Sequence, residues 1–324
     1  MRARVGIAVV AAVVVVGCSD SRPASGPDGG DTPGADAAAA GDPDAATSPS
    51  PDAATASADA RPISDCAPSA APGHQEITCD DGVHYDVELP APCAAGGCGV
   101  IVDIHGFTMT GDEMDVHTRM RALAPTLGYV VIQPTATGIP TSWAGGGHDD
   151  AVWSFVEATL DVVDADRDRV HVTGFSQGGE MTLRLLCAHA EDIASVAPTA
   201  AAAIACFEGS APPVERPILY THGTRDVLID YDLVAIPLRD GILEAWPFGE
   251  VETMAATDGY TAERWVTASG TPFELWTHDF ATEPFWLVGH CLPGPVTTDT
   301  YRCRDDGQFD QADEVLRFFV DNPR

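Results

Sequence analysis

Val170-His171-Val172-Thr173-Gly174-Phe175-Ser176-Gln177-Gly178-Gly179 is the stretch on which the reading of the chain turns. A β-branched apolar run ends in Gly-x-Ser-x-Gly, and a helical pattern over 177–190 follows at once. Glycines at 174 and 178 permit a sharp strand-to-helix turn, in which the serine between them sits at a strained backbone position with its hydroxyl exposed. The helix that follows aims the positive end of its dipole at that oxygen. Ser176 is therefore the candidate nucleophile.

Working outward, residues 98–104 read as a buried strand feeding the loop His105-Gly106. Similar apolar runs lie at 129–133, 170–173, 193–197 and 218–221, separated by helical patterns over 112–127, 149–164, 177–190 and 230–246. A last amphipathic helix, 309–321, presents Val315, Leu316, Phe318 and Phe319 before Pro323 stops it. Strands alternating with helices at this spacing predict an α/β fold with a mostly parallel central sheet and helices on both faces. No internal repeat is visible, and one sheet of this size makes one domain.

A serine hydroxyl needs a histidine to take its proton and a carboxylate to orient that histidine. In α/β-hydrolases the three follow in the order Ser, Asp or Glu, His. The strand 217–221 runs into His222-Gly223-Thr224-Arg225-Asp226, which puts Asp226 in a loop at a strand's carboxyl end. Asp230 and Asp232 compete with it but suit the start of the next helix. Downstream remain His278, in a strand-like alternation that would leave it solvent-facing or partly packed, and His290, in a turn-rich loop after the apolar run 285–289. His290 is preferred. The oxyanion of a tetrahedral intermediate calls for two backbone N–H donors, assigned to Gln177, just after the nucleophile, and to Phe107, in the loop after the first core strand. His105 is read as a packed support for that loop. Asp149 and Asp150 read as helix-start acids rather than metal ligands with His148, and Trp143 as the aromatic best placed to touch substrate.

His105-Gly106, Gly174–Gly179, His222-Gly223-Thr224-Arg225-Asp226 and Gly289-His290-Cys291-Leu292-Pro293-Gly294, in that order, resemble the polyhydroxybutyrate depolymerase and feruloyl esterase-like branch of the α/β-hydrolases. The likeness spans about residues 75–322, with Ser142-Trp143, Asp149-Asp150 and Val196-Ala197-Pro198 adding to it. It implies a secreted carboxylic ester hydrolase with Ser176 as nucleophile, Asp226 orienting, and His290 as base and then acid, needing no metal or organic cofactor. The same triad also serves peptidases and thioesterases, and a silent scaffold could keep it for binding. Some feruloyl esterases and tannases carry a Cys before the serine that bridges to a Cys after the histidine. Phe175 stands there in this chain, so Cys291 must pair elsewhere or stay free.

The amino terminus reads as an export signal. Arg2 and Arg4 precede the run Val5–Gly17, which has no polar side chain. As a helix it would span about 20 Å, short of the ~30 Å hydrocarbon core of a bilayer. Val15-Val16-Gly17-Cys18 resembles a lipobox, so 1–17 is expected to be a lipoprotein signal and Cys18 a lipidated first residue, with Ser19 favouring the outer surface. Residues 18–62, almost wholly Ala, Asp, Pro, Ser, Gly and Thr, form a disordered tether, and 63–324 the catalytic domain. Removing Cys18 leaves eight cysteines, an even number in an exported chain, which points to disulfides. Neighbours in sequence are the expected pairs, namely Cys66–Cys79, Cys93–Cys98, Cys187–Cys206 and Cys291–Cys303. The formal net charge is −32, with no lysine, and residues 63–324 hold 41 of the 49 acidic side chains. Such a field repels phosphate backbones and excludes nucleic acid as a partner. It favours neutral esters, small or polymeric, met by a monomer that touches a membrane only through Cys18.

Overall fold

In the computed structural model the chain is described over residues 66–203, 206–282, 287–295, 300–304 and 308–324. The expected leader, Cys18 and the tether lie outside the described residues. In chain order the elements begin with β1 (Gly73–Thr78), β2 (His84–Leu89), β3 (Gly99–Ile104), α1 (Gly111–Thr118), α2 (Met120–Leu123), β4 (Tyr129–Thr135), α3 (Asp149–Val162), β5 (Val170–Phe175) and α4 (Gln177–His189). They continue with β6 (Ser195–Thr199), β7 (Ile218–Gly223), α5 (Ile236–Ala245), β8 (Glu252–Ala256), β9 (Tyr260–Val266), β10 (Pro272–His278), the short β11 (Ala281–Thr282) and β12 (Cys303–Arg304), and α6 (Gln311–Asp321).

Every residue of β3, β5, β6 and β7 is buried, which is why these strands appear in the sequence as mostly apolar runs. Side chains alternate across the sheet. Val100, Val102 and Ile104 of β3 pack in one layer with Phe155 of α3, Leu185 of α4 and Leu238 of α5. Ile101, Val131, Ala197 and Leu219 pack in the other with Val315, Leu316, Phe318 and Phe319 of α6. Each fully buried side chain of this kind contributes roughly 1.5–3 kcal/mol against leaving it in water. The α/β architecture with helices on both faces therefore follows from the two-sided apolar strands.

Ten strands form the main sheet in the order β1-β2-β4-β3-β5-β6-β7-β10-β9-β8. The six from β4 to β10 run parallel, while β1 and β2 at one edge and β9 and β8 at the other are antiparallel. From β3 the chain winds outward to β4 on one side and then returns to β5 on the other. That reversal opens a crevice at the strands' carboxyl ends, where open α/β sheets bind ligands.

Two local expectations change. The helical pattern over 112–127 breaks into α1, α2 and a 3-10 turn at Ala124–Leu127, because Arg119 turns left-handed with φ 54° and Pro125 cannot continue an α-helix. The chain before His290 is a turn over 287–289 rather than the end of a strand, with the His290 N–H donating to the Leu287 carbonyl at 2.8 Å. Residues 283–286 lie outside the described residues.

Candidate active site

Ser176 stands between the last residue of β5 and the first of α4, at φ 55° and ψ −121°. For a residue with a side chain this conformation costs roughly 1–3 kcal/mol, which the surroundings must impose. They do so through close packing. A Cβ on Gly174 would collide with the Gly178 carbonyl, and one on Gly178 with the carbonyls of Ile104 and His105. The Ser176 N–H donates to the Thr199 carbonyl at 2.9 Å, and its own carbonyl accepts from the Glu180 N–H at 3.0 Å, locking both sides of the turn.

Asp226 and His290 meet although 64 residues separate them. The imidazole Nδ1 lies 2.7 Å from Asp226 Oδ2, and both side chains are withdrawn from solvent. The carboxylate's other oxygen accepts N–H bonds from Leu228 at 2.8 Å and Ile229 at 2.9 Å, so its orientation is set by its own turn. Each bond to a charged acceptor contributes about 1.5–3 kcal/mol. The Val227 N–H donates to the Val288 carbonyl at 3.1 Å, which docks the His290 loop onto the Asp226 loop. With Nδ1–H committed to the carboxylate, Nε2 is left to accept a proton. The Phe175 ring, next to Ser176 in the chain, packs on the imidazole with centroids 4.8 Å apart. Among the described residues Ser176 and His290 share no direct hydrogen bond.

The loop after β3 leans on this turn. A Cβ on Gly106 would press on Phe175, and Trp143 Nε1 donates to the His105 carbonyl at 2.9 Å. His105 is fully buried, with Nδ1 donating to the Gly106 carbonyl at 2.6 Å and Nε2 accepting from the Ala136 N–H at 3.1 Å. Burial holds its pKa down at about 4, with the Gly106 carbonyl opposing, so it stays neutral at the pH of ester chemistry. Phe107 is 44% exposed at the mouth of this loop. The Gln177 N–H is one of the first four of α4, which have no partner inside the helix. The Gln177 side chain accepts from Ser142 Oγ and the Trp143 N–H, both at 3.1 Å, and so ties the 142–143 loop to the elbow.

Several expectations find a definite place. The four predicted cysteine pairs all form as disulfides, which belong to an oxidising compartment. Among the described residues no helix is long and apolar enough to cross a membrane. Asp230 caps the turn at Tyr231–Ala235 through the Leu233 N–H, and Asp149 in the first turn of α3 grips Arg184 at 2.6 Å. Trp143 is 1% exposed and belongs to the core rather than to an open pocket. His278 is 1% exposed, not solvent-facing, because β10 lies inside the sheet between β7 and β9. Burial, with His222 adding, lowers its pKa to about 3.

Two residues escaped the sequence reading. Tyr301 packs edge-on against Phe175 and His290, with centroids 5.5 and 6.4 Å away, and the Cys291–Cys303 bridge brings it there. The signal lay in the disulfide partner two residues on. His222 sits 3.8 Å from Asp226 Oδ2 at the buried end of the acid loop, and the sequence offered only its place at a strand end.

A second serine–histidine contact, His171 Nδ1 to Ser195 Oγ at 2.8 Å, bridges β5 and β6 near their amino ends. Both residues are fully buried, His171 stacks on Phe319, and burial lowers its pKa to about 3, with Arg169 adding.

No protein-family model matches the chain. A bifunctional acetylxylan esterase/xylanase from Neocallimastix patriciarum is 28% identical over 159 residues, 48% of this chain and 23% of that protein. Feruloyl esterase B from Neurospora crassa is 29% identical over 122 residues, 35% of this chain and 42% of that one. The chain thus spans less than half the length of either curated relative. Among solved structures, acetyl xylan esterase from Aspergillus awamori aligns with a TM-score of 0.56 at 17% identity, covering 76% of this chain and 99% of that one. The fold is that of the α/β-hydrolases. In that fold a serine after the central strand, an acid after a later strand and a histidine downstream occupy one edge of the sheet, as Ser176, Asp226 and His290 do here.

Proposed function

We propose that this protein is a serine carboxylic ester hydrolase in which Ser176 is the nucleophile, Asp226 the orienting acid and His290 the general base and then acid. The observation that carries the reading is the buried 2.7 Å pair of His290 and Asp226 beside a serine held at positive φ on a strand-to-helix turn. His290 Nε2 takes the Ser176 proton as Oγ attacks the ester carbonyl, and the resulting oxyanion is bound by the Gln177 and Phe107 N–H groups. Collapse expels the alcohol, which leaves with the proton from His290. Water then attacks the acyl-enzyme with His290 again as base, releasing the acid and restoring Ser176.

The relatives named above support neutral acetyl and feruloyl esters as the first substrates, and the motif resemblance adds hydroxyalkanoate oligomers. The net charge of −32 disfavours polyanionic substrates. The catalytic domain is assigned to residues 63–324, acting as a monomer on a tether, 18–62, that follows a leader, 1–17, and is lipidated at Cys18. Incorporation of labelled palmitate that vanishes in Cys18→Ser checks the anchor. Turnover of p-nitrophenyl acetate, methyl ferulate, acetylated sugar and hydroxybutyrate oligomer by wild type and Ser176→Ala tests the activity. A folded Ser176→Ala protein that keeps full turnover would end this account.

A further inference from the structure

The Asp226 carboxylate has a second imidazole beside it that the triad does not use. His222, on β7, lies 3.8 Å from Asp226 Oδ2, and both side chains are fully buried. Its Nε2 lies 2.8 Å from the Ile229 carbonyl, and Ile229 is the residue whose N–H donates to Asp226 Oδ1. Both backbone groups of Ile229 are thereby engaged, one by the acid and one by the histidine. On the other side of the ring, Nδ1 lies 2.7 Å from the Tyr220 hydroxyl, which also lies 2.8 Å from the Ala201 carbonyl. Ala201 in turn packs where a Cβ on Gly179 would fall, at the start of α4. A continuous run of buried contacts thus joins the nucleophile's turn to the acid's turn.

We propose that His222 is the positioning residue of Asp226, fixing the 226–229 turn through Ile229 and tying it through Tyr220 to the serine's turn; this rests on the ester-hydrolase reading above. The proton inventory sets its tautomer. A carbonyl can only accept, so Nε2 carries a proton in every state of the ring. The single Tyr220 hydroxyl proton goes to the Ala201 carbonyl, so Nδ1 donates to that hydroxyl when the ring is charged, and when the ring is neutral it accepts only by drawing the proton away from Ala201. Burial lowers the His222 pKa and His290 adds to this, while Asp226, the Ile229 carbonyl and Asp230 raise it. The other titratable groups at the ring are Tyr231, 5.9 Å away between centroids, and the neutral His278. His222 never touches substrate. Its effect passes through the aim of the carboxylate, and a displacement of about 1 Å at such a site can cost 10²-fold in rate.

The full-length chain carries the test. Wild type is first treated with a fluorophosphonate and assayed on p-nitrophenyl acetate; failure to label Ser176 or to turn over ester breaks the functional reading before His222 is examined. With that established, His222→Leu, which removes both ring nitrogens at similar volume, should lower kcat ten- to hundredfold with KM within about twofold. His222→Gln, which keeps a donor for Ile229 and an acceptor for Tyr220, should recover kcat to within about fivefold. Unchanged kcat in a folded His222→Leu protein, or no recovery in His222→Gln, overturns the proposal. If His222→Leu does not fold, Tyr220→Phe decides: a threefold or larger fall in kcat at constant KM supports it and an unchanged kcat overturns it. Ring 15N spectra give an independent reading, since Nε2 should be protonated throughout the active pH range and a ring protonated at Nδ1 alone contradicts the geometry.

Discussion

Two places in this molecule bring serine and histidine near one another, one between neighbouring strands and one between two loops, and they differ in everything that chemistry requires. His171 and Ser195 are hydrogen-bonded at 2.8 Å, a better contact than any Ser176 makes with His290, yet the pair is sealed inside the sheet. Among the described residues no carboxylate is paired with that imidazole, and its ring is stacked on Phe319. Ser176 begins a helix five residues further along the same chain, about 16 Å of strand away at ~3.3 Å per residue, at the carboxyl edge where loops converge. There the histidine has a carboxylate and the serine has helix N–H groups beside it. A hydrogen bond between the right side chains does not make a site; a site needs access, a charge to stabilise the imidazolium and donors where the oxyanion forms.

The largest effects should separate the two pairs outright. Ser176→Ala is expected to lower kcat on a p-nitrophenyl ester by at least about 10³-fold, whereas Ser195→Ala should leave it within about twofold. A large loss in Ser195→Ala at unchanged stability would reverse the assignment. Asp226→Asn should follow with a fall of roughly 10³–10⁴-fold, since the amide oxygen would stay with the Leu228 and Ile229 N–H groups, leaving an NH2 donor against Nδ1 and no charge to stabilise the imidazolium. His171→Phe, which keeps the stack on Phe319, should instead show its effect in denaturant unfolding, at about 1–3 kcal/mol for the stranded Ser195 hydroxyl.

The Cys291–Cys303 bridge sharpens the contrast, because it closes a short loop directly after His290 and carries Tyr301. Replacing both cysteines by serine should cost about 3 kcal/mol of stability by the loop-entropy estimate and lower kcat as well. Loss of Cys93–Cys98, which staples a turn before β3, should leave kcat unchanged. Equal kinetic effects from the two would show that the bridge does not position His290.

The smallest predicted effect concerns a third buried polar cluster. Asp103 on β3 is fully buried, with Oδ2 accepting from Thr118 at 2.7 Å and Gln133 at 2.8 Å and Oδ1 without a partner among the described residues. Burial raises its pKa from 3.8 to about 7, the two hydrogen bonds opposing. Between those values the folded protein holds a proton that the unfolded chain releases. The stability this supplies is complete below the unfolded value and is lost as pH rises through about 7. Asp103→Asn should flatten that fall in stability between pH 4 and 8 in urea unfolding, with kcat unchanged. A changed kcat would place Asp103 with the site instead of with the scaffold.

How much of this was readable from the chain follows the range of the interactions. The elbow is local: Gly174, Gly178 and Gly179 announce a turn too tight for side chains, and the strand and helix flanking it repeat with periods of two and about 3.6. The buried parallel strands announce themselves because two packed faces demand mostly apolar runs. Edge strands β1 and β8 do not, since exposed residues alternate in β1 and nearly fill β8. His278 looked half-exposed because its strand alternates, and only the neighbours β7 and β9 bury it. For Tyr301 the signal lay only in Cys303 two residues on, because its place beside Phe175 depends on a disulfide and a returning loop.

The sequence by itself therefore determined the serine's turn, the order of acid and histidine, the even cysteine count and the acidity of the folded part, all of which rest on short-range sterics, chain order and counting. Only the tertiary structure decided that Asp226 and His290 stand 2.7 Å apart, that His171 and Ser195 form a sealed pair at the wrong end of the strands, and that His222 stands behind the acid. Those are contacts between distant segments, and burial against residues far along the chain, which no local pattern encodes, sets both their geometry and the charge state of each imidazole.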